Sequence, residues 1–314
     1  MQKLFIIGNG FDCYGHKMKT QYSDFKNYLI QKFPDYEEDY DDILEPYPLA
    51  DGGEEYDMNA VVGAIVRILN ECAGDDWKTL EACLGELFIK SIGYDNEWLL
   101  NEVDMEEEDK EIFHSVYNNE DISRNLCGAF RKLKELFRDW VFNELGTIDY
   151  TSIKKIWKKP SFKNSLFLNF NYTKTLEKVY KIEKSKICHI HGDAENKKLD
   201  IYFGHGDSED IEFDLRYMGI ENAFGKLKRE LKKDTKKAFE DHEDFFERIH
   251  SVNKIYSYGF SFSEVDMVYI EEICKRIDVS KVRWYFNHYD WKNKTEYVDK
   301  IKALGFKVRR DYRW

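Results

Sequence analysis

Leu4 to Ile7 is an unbroken apolar run set between Lys3 and Gly8. A short run without polar alternation predicts a strand buried on both faces of a parallel sheet. It leads directly into Gly8-Asn9-Gly10-Phe11-Asp12, two glycines two positions apart. A strand that ends in Gly-x-Gly turns sharply and lets a phosphate approach its bare amides at the start of a helix. The same glycines also read simply as a tight turn, because Cys13 stands where a dinucleotide fingerprint carries its third glycine.

Beyond the turn, Tyr22, Phe25, Tyr28, Leu29 and Phe33 fall at helical spacing and predict a helix over 20–33 that packs on the sheet. Residues 34 to about 160 are poor in strand patterns. Val61, Val62, Ile65, Val66, Ile68 and Leu69 predict one helix, and Trp77, Leu80, Leu84 and Leu87 another. Leu126 to Val141 keep a three-four period through a third. Strand patterns return at Ser165–Asn169, then at 186–190, 199–203, 254–258, 282–287 and 306–310. Helical segments at 173–182, 263–277 and 290–304 separate several of them. Strands alternating with helices imply right-handed crossovers. The reading is an α/β, Rossmann-like, mostly parallel sheet built from 1–33 and 161–314, with a helical insertion at 34–160.

Composition refines this picture in three places. Of the 314 residues 16% are aromatic and only four are proline, which fits an ordered chain without long linkers. The net charge of −12 argues against general affinity for nucleic acid or anionic membrane. Nearly all of it sits in Pro34–Asp57, with eleven acids and no Lys or Arg, an expected exposed loop; Met105–Glu111 reads as a second. The six cysteines form no Cys-x-x-Cys pair and read as buried free thiols of a reducing cytoplasm, with neither disulfide nor zinc. No apolar run approaches membrane-spanning length, so a cytoplasmic protein is expected.

Ligands of such sheets collect beyond the carboxyl ends of the strands. Five expected strand exits end in polar, Gly-rich clusters: Gly8–Asp12, Asn169–Thr173, His189–Asp193, Gly204–Asp207 and Gly259–Asp266. Plainer readings stand beside the chemical ones. Asn171 suits a turn and Thr173 a helix cap. By the period of two His189 shares a strand face with His191 and lies deeper, as a core histidine. Ser263 and Asp266 form the pattern of a capping box, whose helix N-terminus suits a pyrophosphate.

The order of these motifs resembles the AbiH family of bacterial abortive-infection proteins. The resemblance rests on Phe5–Asp12, Thr20-x-Tyr22-x-x-Phe25, Asn169-Phe-Asn-Tyr-Thr173, His191-Gly192, Phe203-Gly-His-Gly206 and Tyr258-Gly-Phe-Ser261, with Trp77–Glu81 between them. More distantly the layout is similar to sirtuin-like, zinc-free NAD-hydrolysing proteins of phage defence. That resemblance implies an antiphage effector that cleaves NAD to nicotinamide and an ADP-ribose product, with NAD as substrate and no other cofactor. It implies His191 as catalytic base, Asn171 facing the ribose, and a nucleotide cradle of Gly8, Asn9, Gly10, Tyr172, Gly192, Gly204, His205, Gly259, Ser261 and Ser263. The motif's usual Asp is Thr173 here, so Asp12 is expected to supply the missing carboxylate.

Bond cleavage of this kind builds positive charge on the sugar as a neutral amine leaves. It needs a negative pocket and a base rather than a strong nucleophile. Two rivals stay open: a metal-dependent phosphohydrolase or nuclease built on His189, His191, Asp193, His205 and Asp207, and a nucleotide-binding sensor without catalysis. The basic stretch Lys226–Lys237 is expected to be one helix, either a solvated face or a contact for nucleic acid or an acidic partner. A homo-oligomer or a partner in the defence system is expected to restrain the activity.

Overall fold

The computed structural model describes residues 2–37, 44–92, 100–104, 106, 108–157, 162–207, 213 and 215–311. In chain order its strands are β1 (Gln2–Ile7), β2 (Tyr47–Pro48), β3 (Glu54–Glu55), β4 (Ser165–Asn169), β5 (Ile187–His189), β6 (Val252–Tyr258), β7 (Arg283–Phe286) and β8 (Lys307–Arg310). Its helices are α1 (Tyr22–Lys32), α2 (Met58–Ala73), α3 (Leu80–Ile92), α4 (Asp109–Asn143), α5 (Thr175–Lys178), α6 (Glu221–Leu231), α7 (Thr235–Asp241), α8 (Glu243–Glu247), α9 (Glu264–Arg276), α10 (His288–Asn293) and α11 (Thr295–Ala303). Among the described residues no helix is long and apolar enough to cross a membrane.

The chain divides into two compact units. The first, Met1–Gln21, Asp139–Tyr202 and Asp234–Trp314, holds a six-stranded sheet of order β5-β4-β1-β6-β7-β8. Every neighbouring pair in it is parallel. From β1 the chain steps outward through β4 to β5, crosses back to β6, and steps outward the other way. That is the doubly wound order of a Rossmann-like fold, whose switch point falls between β1 and β6. The register aligns Tyr258, Ile7, Asn169 and His189 in one row across four strands, so these exits open at one level.

The period of two explains how β1 can be buried on both faces. Leu4 and Ile6 join one core with Leu166, Leu168, Ile255 and Trp284, beneath Tyr269, Ile270 and Ile273 of α9. Phe5 and Ile7 face the other way, into an aromatic core with Phe167, Tyr256 and Trp157. There, rings in register stack across the strands: Phe5 on Phe167 at 4.9 Å, Phe5 on Tyr256 at 5.0 Å, and Tyr256 on Tyr285 at 4.8 Å. Such cross-strand aromatic pairs each add about 0.5–1 kcal/mol beyond burial, which favours this register over a slip.

The second unit, Tyr22–Arg138 and Phe203–Lys233, is helical apart from the β2–β3 hairpin. Helix α1 belongs here and not to the sheet, because Phe25 packs edge-on against Trp77 and Phe137. The stretch expected to be an acidic loop instead forms the exposed β2–β3 hairpin near its end; residues 38–43 lie outside the described residues. Met105 and Glu107 lie outside them too, while Asp109 and Glu111 open α4, where acids favour a helix N-terminus.

Several expectations are corrected. Residues 199–203 form no strand: Tyr202 N–H donates to the carbonyl of His191, and no ladder builds beyond β5. The helix expected over 173–182 shortens to α5, and that over 290–304 divides into α10 and α11. The basic stretch is not one helix, since Lys232 to Asp234 break it between α6 and α7. Its lysines are also engaged: Lys233 is buried with its Nζ 2.7 Å from Glu81, and Lys237 reaches Asp200 at 2.7 Å and Asp241 at 2.8 Å. Of the basic side chains only Lys233 is buried, while Lys226, Arg229, Lys236 and Lys237 stay exposed on two helices instead of one. Cys72 and Cys83 are joined as a disulfide between α2 and α3, so these two are not free thiols. An eleven-residue separation carries no pairing signal until the two helices pack together. Cys13, Cys127, Cys188 and Cys274 are free, and burial raises the thiols of Cys127, Cys188 and Cys274.

At the switch point Gly259 has φ +62, and a Cβ on it would lie 2.2 Å from the Phe11 nitrogen. Gly259→Ala is expected to destabilise the protein by about 2–4 kcal/mol in urea denaturation. Gly52, with φ +83 but open space around it, is the control, and Gly52→Ala is expected to cost only about 1 kcal/mol. Equal losses for both would show that the backbone contact at Gly259 carries no special weight.

Candidate functional site

The exits of β1 and β6 are the tightest place in the sheet unit. Cβ atoms on Gly8 and Gly10 would lie 2.5 Å from the Phe260 Cα and 2.8 Å from the Gly259 Cα. The Gly8 and Gly10 N–H groups donate to the carbonyls of Tyr258 and Gly259, at 3.0 and 2.9 Å. The glycines thus let two turns meet backbone to backbone, and the amides expected to be bare for a phosphate are already bonded. Asn9 is fixed as well: its Nδ2 donates to the Thr20 carbonyl, and Thr20 Oγ1 donates to its Oδ1.

After Gly10 the chain winds into a π-helical turn, Phe11–Gly15, that carries Asp12 inward. Asp12 is fully buried, and Thr173 Oγ1 donates to its Oδ2. Thr173 is therefore no helix cap; its hydroxyl is hydrogen-bonded to the acid that follows β1. Burial pushes Asp12 up to about 6, against the lowering effect of Thr173, Thr175, His189 and Asn171. Its Oδ1 is buried with no hydrogen-bond partner.

Asn171 lies beside it at the exit of β4. Its Nδ2 donates to the Gly8 carbonyl at 3.2 Å and its backbone N–H to Asn169 Oδ1 at 3.2 Å. Its own Oδ1 is a second buried acceptor without a partner. His189, at the end of β5, joins the same cluster: Nδ1 is 3.2 Å from the Asn171 carbonyl, and Nε2 is 2.8 Å from Glu177 Oε1. Burial works to lower this imidazole, but the hydrogen bond and charge of Glu177, with Asp193, outweigh it and hold the ring above its ordinary value.

His191 does not share His189's surroundings. The chain turns after β5, with Gly192 N–H bonded to the His189 carbonyl at 3.0 Å, and the period of two ends there. His191 is buried against Phe170, Tyr172 and Tyr269, and Phe170 and Tyr269 belong to the core under α9. Its Nε2 stands 3.3 Å from Asp266 Oδ1, an ion-pair distance without hydrogen-bond alignment. The capping box is not made: Ser263 precedes α9 without a side-chain cap bond, and Asp266 turns toward His191. Tyr172 OH donates to the Tyr202 carbonyl, and Gly192 has φ +108.

Gly259 and Ser261 lead toward α9, and Ser261 is exposed. The Gly259 N–H donates to Asp290, a carboxylate that the sequence reading missed; burial pushes it up to about 6 against its bonds from Asn287 and Gly259. Gly204 and His205 lie in the second unit, where both His205 ring nitrogens meet backbone carbonyls, of Gly206 and Lys228, at 2.7 Å. Asp193 is held by Lys174 at 2.9 Å and Asp207 by Lys232. Among the described residues no group of three or more His, Cys, Asp or Glu side chains converges as a metal site. Glu177 was also missed. It lies twelve positions before His189, and only the return of the chain from α5 into β5 brings the two together.

These features define a Rossmann-like protein with a buried acid–amide–imidazole cluster at the carboxyl edge of β1, β4 and β5. Its family model, Bacteriophage abortive infection AbiH, matches residues 4–288, and the chain belongs to that family. No curated protein and no solved structure matches the chain.

The buried carboxyl of Asp12 makes a signed prediction. Its folded value of about 6 lies above the ordinary value near 4, so its contribution to stability is fully present below pH 4 and is lost as pH rises through 6. Asp12→Asn removes that loss. Relative to wild type, the variant is expected to gain about 2–3 kcal/mol between pH 4 and pH 7 in urea denaturation. Parallel stability curves for the two proteins would contradict a raised Asp12 carboxyl in the folded state.

Proposed function

We propose that this AbiH protein acts in abortive infection by hydrolysing NAD to nicotinamide and an ADP-ribose product at the carboxyl edge of β1, β4 and β5. The observation that carries the reading is the pair of buried, unpartnered acceptors, Asp12 Oδ1 and Asn171 Oδ1, at adjacent strand exits. Burying acceptors without partners costs about 1–3 kcal/mol each, a cost that a donor-bearing or cationic ligand would remove. A ribosyl group losing nicotinamide is such a ligand, and a carboxylate at the β1 exit favours its positive charge.

In this reading Asn171 orients the ribose or the attacking water, and Asp12 stabilises the cationic sugar. His191, held near Asp266, is the general base. The complete burial of Asp12 and the bonded amides of Gly8 and Gly10 suit a resting form that opens when infection is sensed. The pyrophosphate is then held at the Gly259–Ser263 turn rather than at Gly8–Gly10.

Purified protein and phage-infected cells expressing it are to be followed for NAD loss and nicotinamide release by chromatography. NAD depletion accompanying abortive death is the expected result. Undiminished NAD in cells undergoing that death would overturn the proposal and favour a nucleotide sensor. His191→Ala and Asn171→Ala are each expected to lose about 10²–10⁴ in rate while remaining folded. Wild-type turnover by a folded His191→Ala protein would remove His191 from the mechanism.

A further inference from the structure

The turn that carries Asp12 inward is closed at its end by His16. The His16 backbone N–H donates to the Asp12 carbonyl at 3.1 Å, and its ring Nδ1 lies 2.8 Å from the Phe11 carbonyl. A carbonyl only accepts, so Nδ1 carries a proton. The other ring nitrogen, Nε2, lies 2.9 Å from the Tyr180 hydroxyl. That hydroxyl oxygen already accepts two backbone N–H groups, of Ile156 at 3.0 Å and Trp157 at 3.4 Å. With both lone pairs engaged, Tyr180 donates its own proton to Nε2. The two neighbours thus select one state, a neutral imidazole protonated at Nδ1. Burial acts in the same direction, lowering His16 from its ordinary value against the bond to Phe11.

We propose that His16 and Tyr180 are positioning residues that latch the turn after β1 and so hold the Asp12 carboxyl in the cluster with Thr173 and Asn171. The inference rests on the reading that Asp12 acts at this site, but it concerns how the acid is held and not which substrate it meets. The two carbonyls that flank the Asp12 Cα are both held by His16, one by its ring and one by its backbone. The direction of the Asp12 side chain follows from that grip.

One hydroxyl joins three stretches of chain that are distant in sequence. His16 ends the turn after β1, Tyr180 follows α5, and Ile156 and Trp157 precede β4. Phe11 steadies the imidazole edge-on at 4.5 Å and rests on Trp157 at 4.7 Å. Lys17, at φ +60, then reverses the chain so that the Met18 N–H also reaches the Asp12 carbonyl, at 3.1 Å. A lysine resists that left-handed backbone, so contacts around the turn must keep it closed. The latch is therefore the contact that a resting site has to release before Asp12 can meet water or ligand.

The test is a carbon-13 titration of the Asp12 carboxyl by NMR in aspartate-labelled protein, with the resonance assigned by its loss in Asp12→Asn. The side chains around that carboxyl are Thr173, Thr175, Asn171 and His189, with the phenols of Tyr150 and Tyr180 beyond. A His16 substitution removes none of them, so a change at Asp12 reports the turn. In His16→Ala, water entering the loosened turn is expected to lower the Asp12 midpoint from about 6 by about one pH unit or more, toward its ordinary value. His16→Asn, which keeps a donor for the Phe11 carbonyl, is expected to restore part of that difference. Nitrogen-15 spectra of wild type at pH 8 are expected to show His16 protonated at Nδ1 and bare at Nε2, and Tyr180→Phe to populate both tautomers. An unchanged Asp12 midpoint in folded His16→Ala protein, or a wild-type ring protonated at Nε2, would overturn the latch. Should His16→Ala fail to fold, Tyr180→Phe keeps the ring that packs on Phe11 and Trp157, and its Asp12 midpoint is read the same way. None of these measurements needs NAD. A lowered midpoint in His16→Ala upholds the latch even where wild type leaves NAD intact, a result that removes the proposed reaction alone.

Discussion

The sheet unit depends on one steric constraint, the meeting of two turns at the exits of β1 and β6 without a side chain between them. Gly8, Gly10 and Gly259 stand so close that a methyl group on any one would overlap backbone of the other turn. The contact sets the level of the row that carries Tyr258, Ile7, Asn169 and His189, and it aims the chain so that Asp12 enters the interior. Because hydrogen bonds between the turns satisfy their amides, the centre of the sheet edge is closed. The buried polar cluster lies instead toward β4 and β5.

That displacement concentrates polar groups where they are costly. Asp12 has a threonine hydroxyl and the field of an imidazole in place of water, and one of its oxygens has no partner. A buried network that is complete adds rigidity, whereas one left incomplete is a reservoir of unfavourable energy that a ligand can relieve. In the proposed function this accounts for both halves of an abortive-infection protein, a stable resting fold and a site that gains free energy when it is finally filled. The second carboxyl of this kind, Asp290, lies beyond β7 and receives the Gly259 N–H, so the central contact is buttressed from the opposite side.

The helical unit makes a different use of buried charge. Lys233 is withdrawn from solvent and paired with Glu81, near the end of a stretch that on paper looked like a basic surface. Such a pair contributes little net stability but is costly to break, because removing one partner strands the other charge. The disulfide between α2 and α3 and the packing of Phe25 on Trp77 and Phe137 bind the remaining parts of that unit.

What the sequence determined by itself was whatever depends on local periodicity. Leu4–Ile7 and Ser165–Asn169 announced buried strands because every side chain in a doubly covered strand is apolar or small. The alternation of strands and helices implied a parallel sheet, since parallel neighbours need crossovers. The polar strand exits were legible because a sheet edge is where backbone bonding stops and side chains take over. The tertiary structure decided how those exits are joined. No pattern in the chain says that Thr173 bonds to Asp12 across 161 positions, or that Glu177 closes on His189. The shared face expected for His189 and His191 was lost because a strand's period of two ends with its last ladder bond. Lys226–Lys237 failed as one helix because the chain there turns from one compact unit into the other, a boundary set by packing and absent from charge pattern. Local structure follows from neighbours in sequence, whereas the charge state of a buried group follows from neighbours in space, and only the fold supplies those.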